Sequence, residues 1–152
     1  MAITALEARE QILDELAAAL DQLAVAVVCL GEAYELLDDA TAERLETELF
    51  RPVQKAYGRG KRTLNGFAQR FGLAARDLSS PSPGLRSQGV KSFVERAVTA
   101  LTTADRKIAE TQDSMLPIEA GDPELRAGLT EVRELLGGHS ATARQFLRTL
   151  GR

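Results

Sequence analysis

The sequence predicts an all-α chain, an antiparallel up-down-up-down four-helix bundle with long helices. Leu13, Leu16, Leu20, Leu23, Val27, Leu30, Tyr34 and Leu37 recur at alternating spacings of three and four residues, the rhythm of one helix with one buried seam. Weaker rows of the same period occur in three later segments. The composition agrees: Ala and Leu dominate, aromatics make up 5% and Trp is absent, whereas sheets favour β-branched and aromatic side chains. The 152 residues suit one domain over 1–152, with helices at about 4–38, 41–71, 88–115 and 123–150 and an irregular loop at 72–87.

Helix one begins at a capping box, Thr4 with Glu7, and runs to Leu37. Asp38-Asp39-Ala40-Thr41 is a short polar connection able to cap the next helix, and so short a link folds helix two back along helix one. Helix two turns Leu45, Leu49, Phe50, Val53, Tyr57, Gly60, Leu64, Phe67 and Phe71 inward. Pro52 lies inside it and should kink it. Gly58, Gly60 and Gly66 weaken it by about 1 kcal/mol each relative to Ala, either for close packing or to soften the segment around a ligand.

Residues 72–88, with Ser79-Ser80-Pro81-Ser82-Pro83-Gly84, favour extended backbone and read as a linker or as a loop over a site. Ser92 and Glu95 form a second capping box near the start of helix three, whose seam is Val90, Val94, Ala97, Leu101, Ala104, Ile108, Thr111 and Met115. Pro117 ends it. Asp122-Pro123-Glu124 is a strong helix start, and helix four buries Leu125, Leu129, Val132, Leu136, His139, Ala143, Phe146 and Leu150. Gly137-Gly138 should bend or break it.

The architecture resembles ferritin-like bundles in helix number and length alone. Those proteins use inward Glu residues with Glu-x-x-His pairs. Here the one histidine, His139, follows Leu135 and Leu136, so no metal centre and no other cofactor is expected. Cys29 is the single cysteine, which excludes an internal disulfide and a multi-cysteine metal site, and nothing in the sequence is placed to activate it. No phosphate-cradling glycine loop follows a strand. The expectation is a non-enzymatic structural or interaction module. A second reading is a small-ligand or sensor bundle whose core polar pocket is built from Tyr34, Tyr57 and His139.

Charge is segregated. Residues 1–50 hold twelve acids and two bases, a net of −10, whereas residues 51–76 hold seven bases and no acid. Arg51, Lys55, Arg59 and Arg62 form one basic stripe. It could grip nucleic acid, a third reading, but the chain is acidic overall and the stripe carries no aromatic to stack bases. Nucleic acid is therefore an unlikely partner. A hairpin turning near residue 40 would instead place the stripe beside Glu7, Glu10, Asp14, Glu15 and Asp21.

Helix one is apolar on its outer face too, through Ala18, Val25, Val28 and Cys29. Either the 72–88 loop or a second subunit must cover that face. A homodimer with Val25, Val28 and Cys29 at its interface is the economical expectation, beside an unidentified protein partner. The first ten residues lack the apolar run of a signal sequence, and the longest such run, Leu23 to Leu30, is eight residues. A cytoplasmic location with no membrane contact is expected.

Overall fold

The computed structural model describes residues 3–150, whose regular elements are all helices, with no strand among them. Helix α1 spans Ala5–Leu36. The Thr4 hydroxyl accepts the Glu7 backbone N–H at 3.1 Å, as the expected cap requires. The carboxylate of Asp38 caps α2 (Asp39–Leu45) by accepting the Thr41 N–H at 2.9 Å.

One π-helical turn, Glu46–Phe50, joins α2 to α3 (Arg51–Arg70). Pro52 explains it. Proline has no N–H to donate, and its ring crowds the carbonyl four residues earlier, that of Glu48. The widened turn makes room, and the Arg51 N–H reaches five residues back to the Glu46 carbonyl. A widened turn thus stands where a kink is expected.

After α3 the chain crosses over through residues 71–89, broken only by a 3₁₀ turn at Arg86–Gln88. Helix α4 (Val90–Asp113) starts at Gly89, with φ 86°. Ser92 lies inside the first turn, so the Ser92–Glu95 cap is corrected. Met115 is corrected as well: it adopts a left-handed φ of 69° and is 49% exposed, because the chain turns there before Pro117. A short α5 (Leu116–Glu119) follows. Helix α6 (Pro123–Leu136) is capped by Asp122, which accepts the Leu125 N–H at 2.8 Å. Gly137 and Gly138, the latter at φ 78°, separate it from α7 (His139–Leu150), so the glycine pair is a break.

Cross-contacts give the helix directions. Against α1, the Arg9 guanidinium lies 4.1 Å over the Phe71 ring and Leu20 meets Gly60, so α3 runs antiparallel to it. Thr111 donates to Glu15 at 3.1 Å, and Val25 lines a groove with Ser92 and Arg96, so α4 is antiparallel to α1 as well. Arg59 pairs with Glu131 at 2.7 Å and Arg70 with Asp122 at 2.6 Å, which sets α6 antiparallel to α3. The order is therefore up, down, down, up, not the alternating up-down-up-down expected. The reason is the crossover: extended backbone covers about 3.3 Å per residue, enough to carry the chain back to the end where α1 finishes.

One apolar cluster takes residues from every long helix. The closest partnership is α1 with α4. Beyond the seam, α1 buries Ile12, Ala19, Ala26 and Ala33, one per heptad, and α4 buries Ala97, Ala100 and Ala104. Small side chains on both helices let the backbones approach. Two glycines are packing requirements: a Cβ on Gly60 would fall 2.3 Å from Leu20, and one on Gly128 would fall 2.2 Å from Thr63.

Candidate binding surface

The second apolar face of α1 is covered by the chain itself. Along the crossover, Arg76 donates to Glu10 and, at 2.7 Å, to Asp14. The Ser79 N–H donates to Asp21 at 2.8 Å, and Arg86 donates to Glu32 at 3.0 Å. At about 100° per residue these four acids share a face with Val25 and Val28. Leu73 and Leu78 of the crossover pack on the core, and Arg96 of α4 holds the Pro83 carbonyl. Ten extended residues from Arg76 to Arg86 span about 33 Å, as do the 22 helical residues from Glu10 to Glu32. That match was the signal that sequence reasoning missed.

Of the residues expected at a dimer interface, Cys29 is fully buried within this one chain and Val25 and Val28 are half-buried against its core. Burial raises the Cys29 thiol pKa, against a smaller opposite pull from the Arg96 charge. By length and composition α1 is apolar enough to cross a membrane, but here most of its apolar side chains are taken up by the core, and Glu10, Asp14, Asp21 and Glu32 by the crossover.

The three expected pocket residues do not converge. Tyr34 stands near the C-terminal end of α1, Tyr57 in mid-α3 and His139 at the start of α7. None of them lines the best-formed grooves of the surface. Burial raises the Tyr57 phenol, with the Asp21 charge adding to it. Burial lowers the His139 imidazole, partly offset by a hydrogen bond with the Leu135 backbone. Among the described residues no three His, Cys, Asp or Glu side chains are grouped as metal ligands.

The basic stripe behaves differently from the expectation. The α1 acids Glu10, Asp14, Asp21 and Glu32 are held by the crossover, so the stripe does not pair with α1. Arg59 turns sideways to Glu131 and Thr63, and Arg51 reaches Glu46 at 3.2 Å across the π turn. Lys55 and Arg62 are exposed and make no ion pair among the described residues. Arg51, Lys55, Arg59 and Arg62 line a shallow groove of about 430 Å³ with Gln54, Gly58, Glu131 and Leu135. A larger groove of about 910 Å³ lies between α4 and α6 at the glycine break. There Arg133 donates to Asp105 at 3.0 Å and to Gln112 at 3.1 Å, so its charge is already satisfied.

No family model matches the chain, and neither a curated protein nor a solved structure matches it.

Proposed function

We propose that this chain is a non-enzymatic interaction module, built as a four-rod helical bundle with one long crossover, whose binding face is the outer side of α3. The observation that carries the reading is the pair of exposed cations Lys55 and Arg62, which make no ion pair among the described residues, in a groove with Arg51. Exposed cations of this kind can meet a partner's carboxylates. The groove carries Leu135 on its wall and no aromatic side chain. That composition suits an acidic protein surface better than stacked bases. Self-association through α1 is replaced in this reading, because the crossover occupies the face it would need.

Fluorescence anisotropy with two labelled probes tests it: a poly-glutamate peptide of about 20 residues and an oligo-dT of about the same length, both at low salt. The peptide should bind, and the Lys55→Glu/Arg62→Glu double variant should bind it roughly tenfold more weakly or worse. Equal behaviour of wild type and variant toward both probes would remove the reading. A preference for the oligonucleotide would move it to nucleic acid.

A further inference from the structure

The rod formed by α2, the π turn and α3 is bipolar on its outward face. Asp39 and Glu43 lie exposed on α2, with Glu46 at the π turn, and Arg51, Lys55 and Arg62 lie along α3. In an unbroken α-helix at about 100° per residue these two sets would point about 130° apart. The extra residue of the π turn brings them to within about 30°, and Arg51 pairs with Glu46 five residues away. Arg44, the one base among those acids, is turned aside, over the Phe146 ring at 5.4 Å and beside Glu48 at 3.8 Å. Arg148 also lines the groove next to it.

We infer that the occupant of this face is a second copy of the same chain, its α2–α3 rod laid antiparallel on the first across a two-fold axis near Leu49; this deepens the function proposed above and rests on it. In such an arrangement residue i lies opposite about 98 − i. Glu43 then faces Lys55 of the second copy, and Glu46 faces Arg51. Arg62 is within side-chain reach of Asp39. Each pair occurs twice. The two Glu46–Arg51 pairs join into one four-charge network, which holds better than isolated surface pairs.

A separate observation sits at the same place. A Cβ on Gly58 would meet only the Arg62 guanidinium at 3.8 Å, an ordinary contact. Unlike Gly60 and Gly128, Gly58 answers no need inside the chain, and a mid-helix glycine is costly. The antiparallel pairing brings it level with exposed Ala40 of the second copy, and a residue without a side chain on this face lets the rods approach. Among the described residues, the charges bordering this face include Glu131, tied to Arg59, and Arg148, which lines one groove with Glu48.

Sedimentation equilibrium on the intact chain is the test, at about 20 mM and about 1 M salt. Wild type should have twice the chain mass at low salt and the single-chain mass at high salt. Glu43→Lys alone and Lys55→Glu alone should each be monomeric with unchanged helical circular dichroism. Mixed in equal amounts they should form a heterodimer, because every juxtaposed pair is then opposite in sign. The inference is overturned if wild type is monomeric at low salt up to about 0.5 mM, if either single variant still dimerises, or if the mixture stays monomeric. A monomeric wild type that still binds poly-glutamate would remove the second copy and leave the binding face. Loss of both would remove both.

Discussion

At the residue scale, two glycines in similar helical settings have different meanings. Gly60→Ala should cost about 1–3 kcal/mol, since its Cβ would collide with Leu20. Gly58→Ala has room and should stabilise the chain by up to about 1 kcal/mol through helix propensity, while weakening the low-salt association. Urea denaturation of both variants separates them, and equal effects would contradict the packing described. His139 is a second residue-scale case. Burial holds its imidazole below the ordinary 6.5, so the folded chain takes up a proton less readily than the unfolded one. Stability should therefore fall as pH drops through about 6.5, and His139→Gln should flatten that limb of a thermal-melt profile.

At the element scale, the caps and seams were legible because they rest on local chemistry. Thr4, Asp38 and Asp122 all accept the backbone N–H three residues on. The Ser92–Glu95 pair has the same spacing and is no cap, because Gly89 lets the chain enter the helix a turn earlier. Spacing alone does not say which of two starts is used. The charged stripe was misplaced for a related reason. The hairpin register gave α3 the nearest acids by sequence, whereas extended backbone brought Arg76 and Arg86 to those acids first. Asp122 tests one start directly. It caps α6 and carries a two-point bond from Arg70, whose guanidinium holds its carboxyl below the usual 3.8. Asp122→Ala should cost about 1–2 kcal/mol at neutral pH. Because the folded pKa is lowered, this contribution is full above about 3.8 and drains away as pH falls below it. The variant's deficit should therefore shrink in acid melts, and a deficit that grows there would contradict the assignment.

At the scale of the whole molecule, the helical class followed from period and composition, but helix direction did not. A linker as long as 72–88 permits α4 to start at either end, and no local signal selects one. The physical determinant is long-range: the length match between extended crossover and helical α1, and the alanine rows through which α1 and α4 close together. Arg76 is the lowest rung of that crossover. Arg76→Ala should leave helix content unchanged and speed limited proteolysis within 77–85, an exposed Pro- and Ser-rich stretch. An unchanged cleavage rate would mean that the ion pairs do not hold it.

Over the middle of α1 the core and the crossover of the same chain bury Cys29 without a second subunit, and the α2–α3 face is the surface proposed for partners. Cys29, the single thiol and fully buried, reports on it. In native buffer its reaction with a colorimetric disulfide reagent should be slower than in denaturant by orders of magnitude, and equally slow at every protein concentration. A free-thiol rate in the folded chain, or protection that appears only as concentration rises, would contradict the account.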